Sequence, residues 1–251
     1  MTTLIPSWAW TPVERQDPGN DGILRTADDG PFFTAYNLHE NGAWDRIYTN
    51  PPAAWRRYDG VQLIAESRVH SRLQTQASYT WSRTTGSVGN EFHSNAGIRD
   101  LGFRSVFSNP NSLINFQGNV VFDPTHELKI LQTARLPWWD GFNLSAVYQF
   151  RSGTTWARRA LIQLNYGFDQ ILMEPRGSHR IDSTSTLDVR VEKLISTGRQ
   201  QSRRLGLYAE AFNLLNRGVA ASVIADSGQY FGKPLLWVDP RVLRMGARWM
   251  F

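Results

Sequence analysis

The chain alternates. Leu73, Thr75, Ala77, Tyr79 and Trp81 occupy every second position, with Gln74, Gln76, Ser78, Thr80 and Ser82 between them. Successive side chains of an extended backbone point to opposite faces, so the segment predicts a strand with one apolar and one polar face. Just before it, Val61, Leu63, Ala65, Ser67 and Val69 alternate with Gln62, Ile64, Glu66 and Arg68, and His70-Ser71-Arg72 suits a tight hairpin between the two. Leu128, Ile130, Ala134 and Leu136 continue the pattern, with Gln132 an imperfection. After the turn at Pro137-Trp138-Trp139-Asp140-Gly141 come Phe142, Leu144, Ala146, Tyr148 and Phe150. The pattern returns in Leu187, Val189 and Val191, in Leu205, Leu207, Ala209 and Ala211, and in Leu243, Met245, Ala247, Trp249 and Phe251.

The connections sort by length. Short ones follow Val69, Leu136 and Leu194, whereas long ones rich in Gly, Asn, Pro and Ser cover roughly 84–126, 152–185 and 214–240. Short turns at one end and long loops at the other, joining strands of about 10 alternating residues, are the signature of an outer-membrane barrel. The predicted fold is therefore all-β, an antiparallel transmembrane β-barrel segment of about eight to ten strands. Strands taken from a larger barrel have the wrong curvature to close, so a curved, partly open sheet with unpaired first and last strands is expected. Glu66, Arg68, Arg135, Arg151, Asp188, Arg190, Glu192, Glu210, Arg244 and Arg248 all fall on the polar face, where mixed signs can pair across strands in a wet lumen. Lys193 falls on the apolar face, near a strand end from which a long side chain reaches the interface.

Composition fits that picture. The mean hydropathy is −0.39, and no stretch approaches the ~20 apolar residues of a membrane helix. Yet the 251 residues include 10 Trp, 13 Phe and 8 Tyr, side chains that gather at membrane–water interfaces. A Trp-rich soluble core or a glycan-binding surface draws on the same residues. The formal charge is +5, with Arg spread among Asp and Glu rather than concentrated on one element, which argues against a nucleic-acid partner. Cys is absent, which excludes disulfides and thiolate chemistry.

The stretch from Leu187-Asp188-Val189-Arg190-Val191-Glu192-Lys193 to Leu205-Gly206-Leu207-Tyr208-Ala209-Glu210-Ala211-Phe212-Asn213-Leu214-Leu215-Asn216-Arg217 resembles the last strands of TonB-dependent receptors. The Oar-like subgroup, with its carboxypeptidase-regulatory-like domain, is the most similar. Tyr58-Asp59-Gly60-Val61-Gln62, Ala77-Ser78-Tyr79-Thr80-Trp81-Ser82, Phe122-Asp123-Pro124-Thr125-His126 and Glu174-Pro175-Arg176-Gly177-Ser178 match its barrel too, so the resemblance runs from about Asp17 to Phe251. A terminal Phe251 preceded by Trp249, Ala247, Met245 and Leu243 at alternate positions is similar to the signal read by the barrel-assembly machinery. The resemblance implies a bacterial outer-membrane location among membrane lipid and lipopolysaccharide. It also implies energy-coupled uptake of a large nutrient (glycan, siderophore or peptide). The family pattern includes a signal peptide, a TonB box and a plug domain, none of which these residues carry. Residues 1–251 are thus expected to be the C-terminal part of a receptor-type barrel that meets TonB only through a preceding part. A binding or adhesion surface without transport, and a soluble β-sandwich lectin, are the alternatives.

Catalytic motifs do not emerge. His39, His70, His93, His126 and His179 are scattered, and no nucleophile elbow, phosphate-cradling Gly-rich loop or zinc helix is present. The acidic pairs read as lumen salt bridges, and the chain reads as a non-enzyme. One segment suggests a metal. Counting Asp17 as position 1 of a twelve-residue calcium loop, Asp21 is position 5, Gly22 the turn glycine at 6, Ile23 the carbonyl donor at 7 and Asp28 position 12. Position 3 is Gly19 and position 12 is not Glu, so a modest affinity of ~10⁻⁴–10⁻³ M is expected. A solvated acidic turn uses the same residues. No other cofactor is implied.

Overall fold

A computed structural model describes residues 2–4, 7–39, 47–49, 52–69, 72–87, 92–93, 97–98, 107, 109–120, 124–136, 141–197 and 203–250. Seven long strands form one antiparallel wall: β1 (Arg56–Val69), β2 (Leu73–Gly86), β3 (His126–Arg135), β4 (Phe142–Arg151), β5 (Thr184–Thr197), β6 (Arg203–Phe212) and β7 (Val242–Met250). They stand side by side in chain order, and a short eighth strand, Gly118–Asn119, pairs with the end of β2. At ~3.3 Å per residue, even the nine residues of β7 reach about 30 Å, the thickness of a bilayer's hydrocarbon core. Among the described residues β1 and β7 each pair on one side only, so the sheet is open.

The register carries the alternation across the wall without a slip. Val69 stands opposite Leu73, Leu73 opposite Ala134, Ala134 opposite Leu144, Leu144 opposite Val191, Val191 opposite Ala209 and Ala209 opposite Met245. One face is apolar from edge to edge. The other face repeats as Arg68, Gln74, Thr133, Ser145, Arg190, Glu210 and Arg244, again as direct partners. All ten charged side chains expected on the polar face lie there. Leu243, Met245, Ala247 and Trp249 lie on the apolar face, while Phe251 falls outside the described residues. The turn at 137–140 and part of that at 70–72 also fall outside them.

The wall is inside-out. Leu63 is 62% exposed and Met245 84%, while the buried side chains of β1–β7 are polar, Ser82, Thr84, Ser185, Glu192 and Glu210 among them. In water, that exposed face would forfeit ~25 cal/mol for every Å² of apolar surface left unburied. Lipid removes this penalty, and a soluble sandwich, which buries its apolar faces against a second sheet, would not be built this way. Among the described residues every buried apolar side chain lies outside β1–β7, in the segment before β1 or in the loops: Ala9, Ala35, Phe107, Val120, Ala157, Ala160, Ile162, Leu164 and Ile171.

Two local outcomes differ from the expectation. β5 continues to Thr197, three residues past the anticipated turn. The segment before β1 and two of the long loops also contain hairpins of their own: Trp10–Gln16 with Phe32–Leu38, Arg159–Leu164 with Gly167–Leu172, and Ala220–Val223 with Pro234–Trp237.

Candidate functional site

The long loops interlock into a cap. In the first hairpin Val13, Phe33 and Ala35 share a face; in the second Ala160, Ile162, Leu164 and Ile171 share one. These two faces pack together, with Ile114 and Met173 at the margin, to form a buried apolar cluster. The signal is present in Ala160, Ile162 and Leu164, which alternate with exposed Leu161 and Gln163 before the Asn165-Tyr166 turn. The alternation stops there: in the return strand Gly167–Leu172 the apolar Phe168 is exposed and Asp169 stands opposite Ile162 on the core face, so the sequence does not show this hairpin.

Polar side chains fasten the cap where apolar ones cannot. Asn111 is fully buried in the 3-10 turn Pro110–Leu113, whose start Asn109 caps by accepting from the Asn111 amide. The Asn111 side chain accepts from Tyr36 N at 2.8 Å and donates to Tyr36 O and to Tyr166 Oη, both at 2.8 Å. Tyr166 in turn donates to Asp169 at 2.8 Å. Burial first, then the Asp169 carboxylate, pushes the Tyr166 phenol up to about 12.

Arg158 is the principal fastener. Its Nη1 and Nη2 donate to the two carboxylate oxygens of Asp17 at 2.8 and 2.5 Å, and Nη1 also donates to Gly19 O at 2.7 Å. Ser227 Oγ donates to that same carbonyl at 2.7 Å, so three loops meet at one point. The side chains are 12% and 6% exposed, and the Asp17 hydrogen bonds hold the Arg158 guanidinium above even its ordinary high value. A second pair, Arg159 with Asp226 at 3.0 Å, ties the same two later loops.

The acidic loop at 17–29 is shaped by these bonds. Gly19 and Gly22 adopt φ of +68° and +74°, the left-handed region that glycine enters freely, and a side chain on Gly19 would meet the Asp28 carbonyl. Asp17 is engaged by Arg158 and by the Gly19 amide at 3.0 Å. Asp21 Oδ1 accepts from Ile23 N at 2.8 Å, and Ile23 O accepts from Thr26 Oγ1 at 3.1 Å. Asp28 accepts from the Thr26 hydroxyl and from the Asp21 and Asn20 amides, which together hold its carboxyl below the usual carboxylate range. Among the described residues no three His, Asp or Glu side chains converge as a metal set.

Outside its core the cap presents rings. Trp8, Phe32, Phe168, Tyr230 and Trp237 are exposed, and Trp156 stacks on His179 at 4.6 Å with Phe231 edge-on at 5.9 Å. Glu174 holds His179 at 2.8 Å and accepts from Arg158 N. Such a surface can stack and hydrogen-bond a bound molecule. On the polar face below it, Glu210 lies between Arg190 at 2.6 Å and Arg244 at 2.5 Å, and Glu192 lies between Arg190 at 3.4 Å and Arg248 at 3.0 Å. Arg190 lies 4.2 Å over the Tyr208 ring, which covers Gly246 across the strand pair. The Phe212-Asn213-Leu214-Leu215-Asn216 stretch ends β6: both Asn residues take positive φ, a conformation Asn tolerates. Asn213 N donates to Asp188 and its side chain to Asp239 O, each at 2.8 Å, while Arg241 N donates to Asn216 Oδ1 at 3.0 Å.

A family model described as an outer membrane beta barrel domain matches residues 11–168. The TonB-dependent transporter Oar of Myxococcus xanthus is 27% identical over 156 residues, 57% of this chain and 14% of that protein. The crystal structure of the outer membrane transporter YddB from Escherichia coli superposes on 96% of this chain and 28% of its own, at 14% identity and a TM-score of 0.49. The chain thus spans less than a third of either relative.

Proposed function

Because the chain belongs to the outer membrane β-barrel domain family, we propose that it is wall and outward cap of a receptor for energy-coupled uptake of a large nutrient. Its location is the bacterial outer membrane, and its apolar face is the lipid-facing one. The substrate class we favour is a glycan, siderophore or peptide, bound by the rings and hydrogen-bonding groups of the cap. Energy would come through TonB by way of a preceding part of the receptor, and insertion through the barrel-assembly machinery. The observation that carries this reading is the division of labour between regions. The wall exposes its apolar residues to lipid, while among the described residues the apolar cluster is buried outside the wall, in the cap, as a rigid recognition surface requires.

A binding or adhesion surface without transport draws on the same cap. Uptake of labelled nutrient pools by cells carrying the intact receptor separates the two. Transport predicts accumulation that stops when TonB is deleted; adhesion predicts surface binding that TonB deletion leaves unchanged.

A further inference from the structure

The hairpin of Arg159–Leu164 and Gly167–Leu172 buries one face in the cap and leaves apolar residues on the other. Ala160, Ile162, Leu164 and Ile171 belong to the buried cluster, yet Leu161 is 62% exposed and Phe168 69%. Leu161 stands opposite Gln170 and Gln163 opposite Phe168, so the two apolar side chains are diagonal neighbours about 7–8 Å apart on the outer face.

One edge of the same hairpin is open. Arg158 O accepts from Met173 N at 3.0 Å, toward the partner strand. Arg159 points the other way: its N donates to Ala225 O at 2.9 Å and its O accepts from Ser227 N at 2.7 Å. Backbone groups along a strand alternate in direction, so Leu161 and Gln163 address the same outer edge as Arg159. Gln163 O accepts there from Arg15 Nε at 3.1 Å. Between these two anchored ends, the Leu161 amide and carbonyl and the Gln163 amide meet no partner among the described residues. The edge already takes one extended backbone, since Asp226 pairs with Arg159 as a parallel bridge. That pairing is not continued, because the Gly228 amide turns to Asn20 O at 2.8 Å. Free N–H and C=O groups at strand spacing are a template for another extended chain.

With the cap taken as the recognition surface, we propose that it receives its cargo as an extended peptide that adds a strand at Leu161–Gln163. Leu161 N, Leu161 O and Gln163 N pair with the peptide backbone, and the patch of Leu161 and Phe168 seats an apolar side chain. The peptide is favoured over the other two nutrient classes because neither a glycan nor a compact siderophore repeats a donor and an acceptor at strand spacing.

The test uses TonB-deleted cells carrying the intact receptor, so that binding is read without transport; cells lacking the receptor give the blank. The probes are a fluorescent pool of random decapeptides, the same pool N-methylated at alternate residues, and a fluorescent oligosaccharide pool. The peptide pool should bind saturably, and the N-methylated pool at least about tenfold more weakly, since its backbone donors are gone. Leu161→Pro removes one outward amide at an edge position that tolerates proline, and should weaken peptide binding about tenfold. Leu161→Val, which keeps the amide, should retain most of the binding. Native exchange at Gly228 N shows that the cap of the Pro variant is folded, and the N-methyl comparison needs no variant at all. The proposal is overturned if N-methylated peptides bind as well as unmodified ones, or if the folded Leu161→Pro variant binds normally. Receptor self-association that Leu161→Pro abolishes would overturn it too, by giving the edge to a second copy. Binding of the oligosaccharide pool alone overturns the peptide site and leaves the uptake reading in place. Conversely, peptide that binds through this edge but never accumulates once TonB is restored would sink the uptake reading and leave the site standing.

Discussion

Replacing Asp17 with Ala removes the partner of a guanidinium that the fold has already taken out of water. Arg158 is 12% exposed and Asp17 6%, so the pair is not one of the exposed bridges worth ~0.2–1 kcal/mol. Removing one member of a buried pair costs ~3–5 kcal/mol, because the other charge stays behind unpaired. Arg158 keeps Gly19 O and Ser227 Oγ as partners after the change, at 2.7 and 3.2 Å, so we expect the low end, about 3 kcal/mol. A loss of that size raises the open fraction of the cap by roughly two orders of magnitude. Amide hydrogen exchange reads it directly. Gly30 N, which donates to Asp17 O at 2.9 Å, and Gly228 N, which donates to Asn20 O at 2.8 Å, should exchange about a hundredfold faster. Amides of β3 and β4 should not respond, since the wall's ladder is separate. Arg158→Met alone should cost a similar amount, and the double variant distinctly less than the sum, because no charge is left buried. Additive single effects, or exchange at Gly30 and Gly228 that stays within threefold of the native rate, would refute the account of Arg158 as the fastener.

Three further outcomes follow from the same geometry. Tyr166 keeps its proton to about pH 12 in the fold against about 10 for a free phenol, so the cap's stability is complete below pH 10 and falls as pH rises from about 10 to about 12. Phenolate absorbance lost in Tyr166→Phe should therefore titrate near 12, and a midpoint at 10 would remove the burial argument. The calcium expectation for Asp17, Asp21, Ile23 and Asp28 competes with closure by Arg158: a loop closed by Arg158 keeps its exchange protection in chelator, whereas protection lost in chelator and restored by millimolar calcium would assign the carboxylates to metal. Finally, a methyl on Gly246 meets Tyr208 Oη, so Gly246→Ala should cost about 1–3 kcal/mol in urea unfolding, and much less when Tyr208 is replaced by Ser. An equal cost in both backgrounds would mean the ring does not rest there.

The wall was legible because its periodicity is local and repeated. A slip of one residue would invert every side chain of a strand, so Leu73 or Leu144 could be assigned a face from its neighbours alone. The asymmetry of connection lengths then separated the two ends. The cap was not legible for the opposite reason. Asp17 and Arg158 are 141 positions apart, and Tyr36 and Asn111 are 75 apart; no spacing rule connects them. In sequence Asp17 reads as position 1 of a calcium loop or as part of an acidic turn, and the structure places an Arg from another loop against it. The Asn residues of Phe212-Asn213-Leu214-Leu215-Asn216 carried a family resemblance in sequence, and their positive φ supplies its physical basis.

The central claim is that one face of β1–β7 meets lipid and the other a wet lumen. The chain has no Cys, so single cysteines carrying a spin label report one site at a time in outer membranes of expressing cells. Labels at Leu63, Leu144, Leu207 and Met245 should be relaxed by oxygen, which dissolves in hydrocarbon; labels at Gln76, Ser145, Arg190 and Arg244 should be relaxed by a water-soluble nickel chelate. Equal accessibility of both sets to the chelate, or preferential oxygen relaxation of the second set, would contradict the lipid-facing assignment.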